Sequence, residues 1–272
     1  MIKVDGEIIN VEHFPDGTQR LKYCPLLHPD SQVCFDWRYE SDEELVTLMF
    51  LVQHLRNEGF RGDYILIMNF VPNGRMDRTY NNKEVFTLKY FCNIINNLNF
   101  SRVFISDPHS NVTPALLNNV IVRDAKFYID YFLEDFDNDL IIYYPDYSAM
   151  KKYSALIPNK KYVYGNKKRD WDNGQILGIE VVNDFNIDLT DKTILMVDDL
   201  VSYGGSMHYA AIKLKELGVG KIYAYATHTE NSVLDKEKGT LIKSLEDGTI
   251  EKLFTTNSLY SGKHEKIEVV NI

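Results

Sequence analysis

The chemistry legible in this chain of 272 residues concentrates in one stretch, Ile194-Leu-Met-Val-Asp-Asp-Leu-Val-Ser-Tyr-Gly-Gly-Ser206. The apolar run reads as a strand that delivers Asp198 and Asp199 to its carboxyl end. The turn that follows, Ser202, Tyr203, Gly204, Gly205 and Ser206, opens a helix. Glycine takes positive φ without steric cost, and the first N–H groups of a helix point outward with no intrahelical acceptor. Such a turn is a seat for phosphate beside two acids that can hold hydroxyls or a metal ion. An acidic turn with a glycine hinge is the competing reading. The chain contains neither Gly-x-x-x-x-Gly-Lys-Ser/Thr nor Gly-x-Gly-x-x-Gly, which excludes the P-loop and dinucleotide fingerprints.

The elements that must position this stretch follow from apolar spacing. Ser41 and Glu44 make a capping box ahead of Leu45, Leu48, Met49, Val52 and Leu55, and Gly59 ends that helix. Asp63 to Asn69, Arg102 to Ser106, Leu140 to Tyr144, Lys192 to Val197 and Lys221 to Thr227 read as buried strands. Helices fit Glu84 to Asn97, Asp146 to Leu156 and Gly205 to Leu217, the last stopped by Gly218. Continuous apolar strands alternating with amphipathic helices predict an α/β fold of two halves, 1–135 and 136–272, each a mostly parallel sheet flanked by helices. Ligands of such sheets sit at the carboxyl ends of the strands.

With 30 Lys and Arg against 39 Asp and Glu, the net charge of -9 argues against non-specific attraction to nucleic acid or a membrane surface. A polyanionic ligand therefore needs local cations or a metal. No apolar run reaches membrane-spanning length, and the opening Met1-Ile-Lys-Val-Asp-Gly6 has no basic-then-apolar signal pattern. Cys24, Cys34 and Cys92 are an odd number without a Cys-x-x-Cys pair, so neither a disulfide framework nor a cysteine zinc site is expected. A reducing cytoplasm is the expected location.

The acid-pair stretch resembles the loop shared by phosphoribosyltransferases and ribose-phosphate pyrophosphokinases (PRPP synthetases), and six further segments resemble the second group in order. Phe14-Pro-Asp-Gly17 resembles its Phe-x-Asp-Gly-Glu element, and Asn69-Phe-Val-Pro-Asn-Gly-Arg-Met-Asp-Arg78 resembles its ATP-site segment. Asp107-Pro-His109, Tyr144-Pro-Asp146, Asn166-Lys-Lys-Arg169 and Ala224-Tyr-Ala-Thr-His228 are similar to the family's remaining motifs. These seven elements span roughly residues 12 to 230.

The resemblance implies two phosphoribosyltransferase-like halves and a transfer of the β,γ-diphosphate of ATP to the anomeric hydroxyl of a ribose 5-phosphate group. ATP is then co-substrate, Mg²⁺ the cofactor and AMP the leaving product. It implies that Asp198 and Asp199 hold the ribose hydroxyls and, through water, Mg²⁺, while Ser202, Tyr203, Gly204, Gly205 and Ser206 hold the 5-phosphate. Lys167 and Arg169, within the hydrophilic stretch Gly165 to Gly174, would be catalytic and close over the transferring group. Phe14, Asp16, Arg75, Asp77 and Arg78 would bind ATP, with Asp107, His109 and Asp146 at the metal–triphosphate. The Phe14 segment implies a homo-oligomer, because in the family it completes a neighbour's adenine site.

Two departures bear on the acceptor. The family's Asp-Thr in the phosphate loop is Ser202-Tyr203 here, and its Glu after Asp-Gly is Thr18. Loss of an acid and gain of a ring suit a 5-substituted ribose such as ADP-ribose, within NAD salvage. The chain is also shorter than is usual for the family, which puts its allosteric control and hexamer in doubt. A phosphoribosyltransferase that consumes PRPP and a catalytically silent regulatory homologue stand as alternatives.

Overall fold

The computed structural model describes residues 1–23, 31–134, 136–169 and 176–272, and the side chains of 167–169 and 176–177 lie outside that description. Cys24 falls outside it as well. Cys34, half-buried, and Cys92, buried, are free thiols, and burial pushes the Cys92 thiol up to about 11. The chain divides into two compact units, Met1–Asp124 and Ala125–Ile272. No helix among the described residues is long and apolar enough to cross a membrane.

The first unit runs β1 (Ile2–Val4), β2 (Glu7–Ile8), β3 (Val11–His13), β4 (Gln19–Leu21), β5 (Val33–Trp37), α1 (Glu43–Asn57), β6 (Tyr64–Met68), α2 (Thr87–Asn97), β7 (Arg102–Ser106), α3 (Val112–Leu116) and β8 (Val120–Arg123). Its sheet has the order β2-β1-β5-β6-β7-β8. The strands from β5 to β8 are parallel, and β1 lies antiparallel on β5. Leu66 and Met68, on one face of β6, are buried with Leu48, Leu51, Val52 and Leu55 of α1 and Leu88, Phe91, Cys92 and Ile95 of α2. The hairpin β3–β4 stands apart as a two-stranded sheet.

The capping box does not form. Glu44 instead accepts hydrogen bonds from the Trp37 indole at 2.8 Å and the Glu40 N–H at 2.9 Å, and pairs with the Met1 ammonium. Helix α1 starts after Asp42 with no side-chain cap, because those donors draw the carboxylate away from Ser41. Helix α2 starts at Thr87, three residues later than expected, since Glu84 closes a turn by accepting from the Tyr80 N–H at 2.8 Å.

The second unit runs α4 (Lys126–Leu133), β9 (Ile141–Tyr144), α5 (Tyr147–Tyr153), β10 (Tyr162–Arg169), β11 (Ile176–Val182), β12 (Thr193–Val201), α6 (Gly205–Glu216), β13 (Lys221–Thr229), a 3-10 turn at Asn231–Leu234, α7 (Leu241–Glu246), β14 (Leu253–Thr256) and β15 (Ile267–Val270). Its sheet, β11-β10-β9-β12-β13-β14-β15, is parallel except for the β10–β11 pair. Helix α4 lies between the observed division and the expected junction at residue 135. Its Tyr128, Ile129 and Phe132 pack with Tyr144, Leu195, Tyr225 and Phe254 of the second unit.

The strand order reverses direction between β9 and β12. From β9 the chain passes through α5 to β10 on one side, and from β12 it passes through α6 to β13 on the other. Connections that leave neighbouring strands in opposite directions open a crevice outside their carboxyl ends, the usual ligand position in open α/β sheets.

Candidate functional site

Asp146 follows β9, and Asp198 and Asp199 lie on β12, so the crevice collects three of the expected carboxylates. Strand β12 is longer than its apolar run because β13 supplies partners as far as Val201, opposite Thr229. Asp198 is half-buried and Asp199 is 8% exposed. Successive strand residues face opposite sides of the sheet, so the two acids diverge. The Asp199 backbone N–H donates to Asp198 Oδ1 at 2.9 Å and fixes the Asp198 carboxylate against its own strand.

The loop after β12 is held by backbone. Gly204 has φ 84 and stands as N-cap of α6. A Cβ there would fall on the Leu241 side chain, so both conformation and space require glycine. The Tyr203 carbonyl accepts from the Thr240 N–H at 2.9 Å, the Leu241 N–H at 3.2 Å and Thr240 Oγ1 at 3.0 Å. Ser202 Oγ meets Ser232 Oγ at 3.1 Å. Gly205 and Ser206 begin the helix, where N–H groups lack intrahelical acceptors. Thr240 and Leu241 clamp the loop from a distant part of the chain, and no local motif announced them. Tyr203 is 39% exposed.

Asp146 is the N-cap of α5, its Oδ1 accepting from the Ala149 N–H at 3.0 Å. It thus begins the helix that the sequence placed there. It also lines a cavity of about 450 Å³ with Tyr147, Ser148, Tyr164, Gly165 and Asn166 among others. Lys167 and Arg169 do not sit in an open loop as expected. Strand β10 carries them through an antiparallel ribbon with β11, Lys167 opposite Ile179 and Arg169 opposite Ile176, with a register shift between Lys168 and Arg169. The apolar residues of β11 provide the pairing that the hydrophilic run alone did not suggest. Their side chains, and residues 170–174 of the expected loop, lie outside the described residues.

In the first unit the expected residues follow adjacent parallel strands. The segment after β6 holds Arg75, Asp77 and Arg78, and the segment after β7 holds Asp107 and His109. Asp77 is 7% exposed and binds Arg78 through two parallel bonds, Nε to Oδ1 at 2.8 Å and Nη2 to Oδ2 at 3.1 Å. Arg78, a bond from the Ser110 side chain and the charges of Arg78 and His109 hold the Asp77 carboxyl below its ordinary value, against burial. Asp77 is therefore the brace of an exposed guanidinium. Asp107 is buried at φ 39, and its N–H donates to the Arg123 carbonyl at 2.8 Å. That left-handed backbone costs a non-glycine residue about 1 kcal/mol or more and is typical of sites where function over-determines conformation.

Phe14 and Asp16 lie on the turn between β3 and β4. Asp16 Oδ1 accepts from the Thr18 N–H at 3.0 Å and Oγ1 at 2.7 Å, bonds that lower its pKa. Thr18, where the resemblance expects Glu, thus closes the turn. Phe14 is 49% exposed, with the Arg20 guanidinium 6.0 Å from its ring centre. His228 is buried, its Nδ1 2.7 Å from Ser258 Oγ.

Among the described residues no three His, Cys, Asp or Glu side chains gather to hold a metal ion. The Asp198–Asp199 pair still suits magnesium, which typically takes one or two carboxylates, several waters and substrate phosphates.

No family profile matches the chain. Among characterised proteins, it is 30% identical over 238 residues to the ribose-phosphate pyrophosphokinase of Pyrococcus furiosus, covering 84% of this chain and 80% of that one. It is 28% identical over 225 residues to the enzyme of the same name from Thermococcus kodakarensis, covering 81% and 77%. Ribose-phosphate pyrophosphokinase 1 of Listeria innocua is 24% identical over 260 residues, covering 92% and 77%. The crystal structure of phosphoribosylpyrophosphate synthetase from Mycobacterium smegmatis has the same fold, with a TM-score of 0.77 and 18% identity over 97% of this chain and 86% of that one.

Proposed function

This chain belongs to the ribose-phosphate pyrophosphokinase family, and on that premise we propose that it transfers the β,γ-diphosphate of ATP to the anomeric hydroxyl of a ribose 5-phosphate group. The observation that carries the reading is the pair Asp198–Asp199 at the switch point, followed by the clamped Gly204 turn at the start of α6.

The anomeric oxygen attacks the β-phosphorus in line, the bond from that phosphorus to the α,β-bridging oxygen breaks, AMP leaves and the hydroxyl proton passes to solvent. Such transfers depend on positioning and on neutralising charge spread over phosphoryl oxygens. On the second unit, Asp198 and Asp199 orient the ribose hydroxyls. The backbone N–H groups of residues 202–206 hold the 5-phosphate. Lys167 and Arg169 act on the transferring group. On the first unit, Arg75 and the braced Arg78 bind ATP phosphates, with Asp107 and His109 beside them. Magnesium would supply charge neutralisation on the phosphoryl oxygens; Asp146, Asp198 and Asp199 of the second unit are oxygen donors suited to it, as, on the first unit, is Asp107. An acidic protein thereby concentrates its cations where a polyanion binds.

The test is AMP release from ATP and Mg²⁺ that requires ribose 5-phosphate, with PRPP identified by mass spectrometry. Lys167→Ala and Arg169→Ala should each lower kcat by about a hundredfold or more with smaller effects on KM. Nucleotide formation from a nucleobase and PRPP, with no AMP release, would transfer the reading to a phosphoribosyltransferase.

Tyr203 favours a second acceptor, ADP-ribose. Its exposure leaves the ring available to stack on a group attached beyond the 5-phosphate, a contact worth about 1 kcal/mol. Comparable kcat/KM for ADP-ribose and ribose 5-phosphate supports this, and strict preference for the smaller acceptor defeats it. The exposed Phe14 turn supports a homo-oligomer, so Phe14→Ser should lower the mass seen by light scattering without unfolding the chain.

A further inference from the structure

Tyr143 of β9 is a fully buried side chain whose hydroxyl has no hydrogen-bond partner among the described residues. Strand register explains where that hydroxyl lies. Tyr143 pairs with Val163 on one side and Met196 on the other. Residues two positions further along each neighbour share its face, and these are Gly165 and Asp198. The ring points toward the same carboxyl ends, because a Cβ built on Gly165 would collide with Tyr143 Oη and lie 2.7 Å from the Pro145 carbonyl oxygen. The absent side chain of Gly165 is the space the phenol occupies.

A buried donor without a partner is costly to keep, and phenylalanine would fill nearly the same volume without that cost. Burial, with the charges of Asp146 and Asp198, pushes the Tyr143 pKa up, so the group is a protonated donor next to two acids. Hydrogen bonds at catalytic sites are often open in the unliganded protein and close only in the complex.

We infer that Tyr143 is a positioning residue for the acceptor, its hydroxyl donating to the Asp198 carboxylate when a ribosyl phosphate binds. The Asp199 N–H already holds Asp198 Oδ1, and the phenol supplies a second restraint that fixes the plane of the carboxylate against the ribose hydroxyls. This inference rests on the diphosphotransferase reading above.

The test compares wild type, Tyr143→Phe, Asp198→Asn and the double variant. In Tyr143→Phe the KM for ribose 5-phosphate should rise about tenfold, the worth of one hydrogen bond to a charged group, while kcat and the KM for ATP stay near wild type. The unliganded Tm should equal or exceed that of wild type, because only an unsatisfied oxygen is removed. The stabilisation that ribose 5-phosphate confers should shrink in Tyr143→Phe and shrink no further when the same change is added to Asp198→Asn. An unchanged KM in an active enzyme overturns the inference and leaves the reading intact. A fall in unliganded Tm accompanied by equal losses on both substrates marks a packing role and also overturns it, as does a Tyr143 effect that persists undiminished beside Asp198→Asn. A wild type that neither binds ribose 5-phosphate nor releases AMP overturns the reading, and the inference with it.

Discussion

The two units present polar groups at strand ends by different means. In the second unit the neighbours β9 and β12 send their chains in opposite directions, and the turn proposed to hold phosphate is built from backbone, with Gly204 at positive φ and the Tyr203 carbonyl accepting three hydrogen bonds. In the first unit the parallel strands β5 to β8 are wound one way, no reversal occurs among them, and the presentation is by side chain, with a buried Asp77 bracing an exposed Arg78. A backbone seat is specified by conformation and tolerates no added atom. A braced cation is specified by one ion pair and degrades gradually when that pair is altered.

Substitutions can break this contrast. Gly204→Ala should have the largest effect, because the new methyl meets Leu241 and an L-residue resists φ 84. We expect a loss of about 2–4 kcal/mol in urea unfolding and little residual AMP release. Stability near wild type would show that the loop is less rigidly clamped than its contacts suggest.

Gly165→Ala should cost about 1–3 kcal/mol by overpacking, since Tyr143 Oη and, at 2.7 Å, the Pro145 carbonyl oxygen leave no room.

Asp77→Asn is expected to be milder still. It should raise the KM for ATP about fivefold with little change in Tm, as a guanidinium loses one charged partner. A pH series sharpens the result. Arg78 holds the Asp77 carboxyl below its unfolded value, so the pair contributes at neutral pH, and its contribution disappears only as pH falls below the usual carboxylate range. The wild type should therefore lose ATP affinity on strong acidification more steeply than Asp77→Asn. Parallel profiles would show that Asp77 does not brace Arg78 in solution.

Much of the framework was legible because buried parallel strands are continuous apolar runs. The apolar run Arg102 to Ser106 has the bounds of β7, and the run Leu140 to Tyr144 exceeds β9 by one residue at its start. The short strands β1, β2, β3 and β4 are not legible in the sequence, since two or three residues carry no periodicity and form only against a neighbour already in place. The same limit applied to Ser41 and Glu44, where a local capping pattern lost to the Trp37 indole and the chain's own amino terminus.

In the site, the order of residue types along the chain determined that Asp198, Asp199 and the glycine turn stand between a strand and a helix, because strand, turn and helix each depend on neighbours in sequence. Only the tertiary structure decided that β9 lies beside β12, that Leu241 forbids a side chain at Gly204, and that Gly165 vacates the space for the Tyr143 hydroxyl. These are contacts between residues far apart in the chain, and their geometry depends on sheet order and register, which no local spacing encodes.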